Sequence, residues 1–182
     1  DFGGAMLQVT ETGPKCLAQT VCGGIAGSNK ALSIVGTPID LPPLTKSDYR
    51  AIELALQLDI YSIALSFANR REDVEHLRSL IGPEIQIIAK IESWDGLQDL
   101  DGILEVANSI LIDRGDLSRE VALETLPFAQ KDIIGRANAA GVPVYVATNL
   151  LESMVTSPRP TRAEVNDVVN TLMDGADGLV LA

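Results

Sequence analysis

The sequence predicts an α/β fold: a parallel sheet built from repeated strand–helix units, preceded by a small β segment. Three observations carry this. Five short, nearly continuous apolar runs rich in Ile, Val, Leu and Ala alternate with segments of helical period, as in sheets buried on both faces. Residues 1–37 lack that alternation and read as hairpins broken by Gly, Pro and Asn. Between the two parts, "TPIDLPPLT" can continue neither a ladder nor a helix. The expected domains are therefore 1–37, a small β unit, and 38–182, the α/β unit.

In chain order, "TKSDYRAIELALQLD" opens a helix with Thr45 as N-cap and Asp48 three residues later, and an apolar face of Ala51, Ile52, Ala55 and Leu56. "YSIALSF" reads as a strand. "REDVEHLRSLIG" reads as a helix with Val74, Leu77, Leu80 and Ile81 in phase, stopped by Gly82-Pro83. "IQIIAKIE" is the next strand. "GLQDLDGILEVA" reads as one helix with Leu97, Leu100 and Leu104 on a common face. "SILID" is a short strand, followed after a loop by the helix "PFAQKDIIGRANAAG", which Gly141 ends. "VPVYVAT" is a strand, and "TRAEVNDVVNTLMDG" a helix whose Thr161 and Glu164 form a capping box. "GLVLA" begins a last strand. Five units are too few to close an eight-stranded barrel of ~250 residues, so the sheet is either open or part of a larger barrel.

A chain of 182 residues suits one domain with a sizeable core. Its net charge of −11 argues against a nucleic-acid backbone or an anionic membrane as the main partner, but not against an anionic small substrate held by local cations. No apolar run approaches the ~20 residues of a membrane span. The expected location is the cytoplasm. Cys16 and Cys22 have no zinc-like spacing; free thiols in a reducing compartment are the simpler reading and a disulfide the other. A start at Asp1, with no leader, suggests a partial chain.

Active sites of α/β proteins gather where parallel strands end. The first strand ends in Ser66, Asn69 and Arg70, the second in Lys90 and Glu92. The third ends in Asp113, Arg114, Gly115 and Asp116, the fourth in Thr148, Asn149 and Glu152. Each has a plain explanation alone: Lys90–Glu92 as a strand-end ion pair, Asp116 as a turn cap, Arg114 as a solvated rim residue. Together they form a site. Glu92 and Asp116 from adjacent strands offer hard oxygens suited to Mg²⁺ or Mn²⁺. Lys90 beside them would stabilise a phosphoryl group or an enolate. Gly115 would let backbone N–H groups approach a substrate carboxylate. The one histidine, His76, lies mid-helix among charges, which leaves this site without a His base.

The strings "IDLPPLTKSDYRAIELAL", "AKIESWDGL" and "RGDLSREVALETLPFAQKDIIGRANAAGVPVYVATNLLESMVTSPRPTRAEVNDVVNTLMDGADGLVLA" closely resemble the pyruvate kinase family. The resemblance implies strands four to eight of a (β/α)₈ TIM-type barrel, incomplete here, after the last strands of an inserted lid domain. It implies phosphoryl transfer from phosphoenolpyruvate to ADP, giving pyruvate and ATP. Lys90 would face the transferring phosphoryl group and the enolate, and Glu92 and Asp116 would bind Mg²⁺ or Mn²⁺. Gly115, Asp116 and Thr148 would cradle the substrate carboxylate, with Arg114 also counted among the substrate-binding residues, Thr148 near the proton delivered to the enolate and Glu120 in support. The family also uses K⁺, whose usual ligands are absent from this chain, and forms homo-oligomers through the barrel. The chain departs from the pattern at Phe2 (an acid is usual), Ser93 (Asn), Asp113 (a small residue), Ser118 (Gly) and Asn149 (Gln). These departures keep two alternatives open, a catalytically silent relative that binds a metabolite or partner and, less favoured, a metal-dependent lyase or aldolase acting on a pyruvate enolate.

Overall fold

A computed structural model describes residues 5–25, 27, 28, 34 and 41–181. The chain divides into two units, Asp1–Asp40 and Leu41–Ala182. The expected boundary at 37/38 and the departure at Phe2 fall outside the described residues. In the first unit, β1 (Met6–Glu11) and β2 (Leu17–Cys22) pair antiparallel around the Gly13-Pro14 connection. Cys16 and Cys22 are exposed and unbridged, so the disulfide alternative falls.

The second unit runs α1 (Lys46–Gln57), β3 (Ser62–Leu65), α2 (Arg71–Ile81), β4 (Gln86–Ile91), α3 (Trp94–Gln98), α4 (Leu100–Val106), β5 (Ser109–Asp113), α5 (Arg114–Leu117), α6 (Leu126–Ala140), β6 (Val144–Ala147), a 3₁₀ turn (Glu152–Val155), α7 (Arg162–Met173) and β7 (Gly178–Val180). All five strands are parallel and adjacent in chain order, β3-β4-β5-β6-β7. A doubly wound sheet reverses its strand order at a switch point; this one never does. The helices follow the same rule, α2 packing on α4 and α4 on α6 in one continuous layer. That is barrel winding, and among the described residues the sheet is open, with β3 and β7 as its edges.

The core lies between sheet and helices. Ile87, Ala89, Ile91, Ile110, Ile112, Val144 and Val146 are buried in one cluster with Leu77, Ile103 and Ile133. The opposite face is covered less: Ile88, Lys90, Leu111 and Tyr145, register neighbours across β4–β6, are half-buried. The apolar runs predicted strands buried on both faces, and only one face is fully so. The half-buried face carries the lysine.

Most predicted ends are held by the chemistry that predicted them. Thr45–Asp48 and Thr161–Glu164 form reciprocal capping boxes, and Gly82 and Gly141 end α2 and α6 with positive φ. Three predictions need correction. The helix expected over 96–107 is two, broken at Asp99, whose carboxylate accepts the Arg71 N–H at 2.7 Å instead of facing solvent. The first of these begins two residues early, because Ser93 accepts the Gly96 N–H at 3.1 Å. Gly96 is required there, since a Cβ would lie 2.6 Å from the Ala68 carbonyl oxygen. Finally, α1 buries only Ile52; Ala51 and Leu56 are exposed, and Ala51 lines an open groove of about 370 Å³ against β3.

Candidate active site

At the end of β4, alternation sends Lys90 and Glu92 to the same side, away from the helix-covered Ala89 and Ile91. Lys90 Nζ donates to Glu92 Oε1 at 2.5 Å and lies 3.3 Å from Asp113 Oδ2. Glu92 is 1% exposed, and its second oxygen accepts the Phe67 N–H at 2.6 Å. Phe67, past the end of β3, has a φ of +49°, so the buried carboxylate holds a strained residue in place.

β5 delivers the next group. Asp113, its last residue, is buried and caps α5 by accepting the Asp116 N–H at 3.4 Å. Asp116 pairs with Arg119 at 2.7 Å. One oxygen from each of Glu92, Asp113 and Asp116 lies within 4.8 Å of the others. Glu120, beyond α5, accepts the Trp94 N–H at 2.7 Å and ties this loop to the start of α3.

Past β6 the backbone enters the left-handed region at Thr148, Asn149 and Leu151, with φ of +67°, +55° and +53°. A β-branched residue with positive φ is costly, by about 1–3 kcal/mol, and persists only where its surroundings hold it. Arg114 supplies the hold. Its Nε and Nη2 donate to the Thr148 carbonyl at 3.2 and 2.8 Å, and Nη2 to that of Asn149 at 3.2 Å. Its Nη1 meets both carboxylate oxygens of Asp167 on α7 at 2.9 and 3.0 Å. The guanidinium is thus no solvated rim group; in this structure its donors are spent on anchoring the turn. Thr148 Oγ1 in turn accepts the Gly115 N–H at 2.7 Å. Its single hydrogen has two acceptors in reach, Asp113 Oδ1 at 3.1 Å and the Ala147 carbonyl at 2.6 Å. A Cβ on Gly115 would lie 3.3 Å from that hydroxyl, which explains the glycine by close approach.

The electrostatics are lopsided. Burial pushes the Glu92 carboxyl above its ordinary range, and the hydrogen bonds from Lys90 and the Phe67 N–H offset this only in part. Burial works against the Lys90 ammonium too, yet the Glu92 hydrogen bond, with the charges of Glu92 and Asp113, holds its pKa above the usual value. The Glu92 shift is thus chiefly one of burial, to which the neighbouring Asp113 charge adds a little, whereas the Lys90 shift comes from its two acidic partners.

The structure therefore brings together Lys90, Glu92, Gly115, Asp116 and Thr148 from three adjacent strands. Asn69 lies beside them, accepting from Ser93 Oγ at 2.5 Å, whereas Ser66 and Glu152 are exposed. His76 is exposed on α2 and bonds Tyr49 Oη at 2.8 Å, far in role from this rim. Sequence reasoning missed Asp167, which no local pattern links to a residue 53 positions earlier, and the part played by Asp113.

The sequence matches the family model for the pyruvate kinase barrel domain over residues 1–182. The chain belongs to the pyruvate kinase family. Among its relatives, human pyruvate kinase PKLR is 43% identical over 186 aligned residues, covering all of this chain and 32% of the relative. A pyruvate kinase of Agrobacterium vitis is 39% identical over 92% of the chain and 35% of its own length. That of Bacillus licheniformis is 36% identical over all of the chain and 32% of its own length. The chain spans about a third of the length of these relatives. The expected α/β fold with a parallel barrel-type sheet, preceded in sequence by a small antiparallel sheet, is consistent with the match to the family's barrel domain. Among the described residues no helix is long and apolar enough to cross a membrane.

Proposed function

We propose that this chain carries the phosphoryl-transfer site of a pyruvate kinase, moving the phosphoryl group of phosphoenolpyruvate to ADP. The observation that carries the reading is the convergence of Lys90, Glu92, Asp116 and Thr148 where three consecutive barrel-type strands end. The two units are then the end of a lid-type β domain and strands four to eight of the barrel. Cytoplasmic location belongs to the same reading and accords with two exposed, unbridged thiols.

The donor set fits a hard divalent cation. Glu92 and Asp116 would hold Mg²⁺ or Mn²⁺ through carboxylate oxygens, in a site whose three acids outnumber its nearest ammonium. When bound, the ion supplies charge neutralisation for the phosphoryl and enolate oxygens. The protein's own residues do the rest. Lys90 donates to the phosphoryl oxygens while the bond from phosphorus to the enol oxygen breaks and the bond to ADP forms, then to the enolate oxygen left behind. The N–H groups of α5's first turn and the Thr148 hydroxyl orient the substrate carboxylate. Thr148 lies on the side from which a proton, carried through water, reaches the enolate carbon to give pyruvate.

A second reading, a silent relative that binds a metabolite without turning it over, is favoured by one observation: the Gly115 N–H already spends itself on Thr148. A coupled assay separates the two. In a polypeptide that completes the barrel around this chain, pyruvate should form from phosphoenolpyruvate, ADP and Mg²⁺, and be lost in Lys90→Met; the chain by itself is expected to turn over little. Absence of pyruvate alongside retained Mn²⁺ and oxalate binding would establish the silent reading instead.

A further inference from the structure

We propose that Asp113 is a positioning residue that keeps Lys90 in the site when Glu92 is taken up by a divalent cation. The proposal rests on the reading above and gives a role to a residue outside the family pattern, which has a small side chain there. Asp113 is buried at the end of β5, and its two oxygens face two different groups. Oδ2 lies 3.3 Å from Lys90 Nζ, while Oδ1 lies 3.1 Å from Thr148 Oγ1 and 3.4 Å from the Asp116 N–H. One carboxylate therefore spans the side chains that face the phosphoryl group and the enolate carbon.

Competition for Glu92 makes this bridge matter. One Glu92 oxygen accepts the Phe67 N–H, so a cation that binds through the other competes with Lys90, which now holds it at 2.5 Å. Among the described residues, the ammonium's other anionic partner is Asp113. With Asp113 in place, the ammonium shifts from one carboxylate to the other and still faces the substrate. Without it, a strongly hydrated charge on a flexible four-carbon stem, on the sheet's less covered face, swings to water. Asp113 cannot follow it out, because its other oxygen is tied to Thr148 and to the first turn of α5.

The test is ¹⁵N NMR of the Lys90 ammonium in the full chain, assigned by its disappearance in Lys90→Arg, with Mg²⁺ alone as the probe. In the wild type the signal should be present without Mg²⁺ and persist, shifted, at saturation. Asp113→Asn keeps an acceptor toward Thr148 and Asp116 but loses the charge. Its Lys90 signal should be present without Mg²⁺, held by Glu92, and lost at saturation. Asp113→Ala, with the small residue of the family pattern, should behave the same way. Persistence of the signal in both variants with Mg²⁺ bound overturns the proposal and leaves the cation site standing. So does a fall in Mg²⁺ affinity in Asp113→Asn as large as in Glu92→Gln with the signal intact, which would make Asp113 a direct ligand. If Mg²⁺ moves no resonance of the wild type, the cation site and the proposal fall together.

Discussion

Arg114 shows what a single residue does here that its sequence neighbourhood does not reveal. "RGDL" places it beside the site, where a free guanidinium would suit an anionic substrate; five hydrogen bonds spend it on Asp167 and on two carbonyls of a left-handed turn. Removing it leaves Asp167 and those carbonyls without partners. Arg114→Ala should lose about 2–3 kcal/mol in urea unfolding, below the full cost of breaking a buried pair because Asp167 is 36% exposed. Arg114→Lys, unable to reproduce the fork, should recover only part of it. Glu164 makes a different, pH-dependent statement. Hydrogen bonds from the Ser153 hydroxyl and N–H, and from the Thr161 N–H, lower its pKa from 4.5 to about 2. A depressed carboxyl pKa stabilises the fold above the unfolded value, and that contribution is lost as pH falls through the folded value. The melting-temperature gap between wild type and Glu164→Gln should thus be full at pH 7 and close between about pH 4.5 and 2.

At the scale of elements, what was legible follows period and caps. Val74, Leu77 and Ile81 recur at helical spacing and are buried on α2, and both capping boxes form as their sequences suggest. Lys90 and Glu92 read correctly as same-side neighbours because a strand's period of two is rigid. What was not legible depends on distant partners or on too few residues. α5 is four residues long and carries no periodicity, so "RGDL" reads as loop. Asp99 breaks a good amphipathic pattern only because the Arg71 N–H, 28 residues away, needs an acceptor. In "ATNLLE" only Asn149 is of a type that favours the left-handed region, so nothing announces that Thr148 and Leu151 join it there. The strands' energetic weight is the simplest to check. Ile112→Ala, in a fully buried position of β5, should cost about 2–5 kcal/mol, measured by the urea midpoint.

For the whole molecule, the consecutive strand order and the single helix layer distinguish barrel winding from a doubly wound sheet, a choice that periodicity alone left open and the family resemblance made for the barrel. The same topology leaves β3 and β7 as unpaired edges among the described residues, and α1 with exposed Leu54 and Leu56. Such edges recruit other strands. The 182-residue chain should therefore sediment as larger species with rising concentration, and strictly monomeric behaviour would show that the edges are protected.

The proposed chemistry depends most on a divalent-cation site at the ends of β4 and β5. Titration of Mn²⁺ against the chain, followed by the loss of free-ion electron paramagnetic resonance signal, addresses it directly. The wild type should bind one ion, and Glu92→Gln combined with Asp116→Asn should weaken binding at least about tenfold, the loss of roughly 1.4 kcal/mol or more expected when two ligand charges go. Unchanged Mn²⁺ affinity in that double variant would contradict the claim.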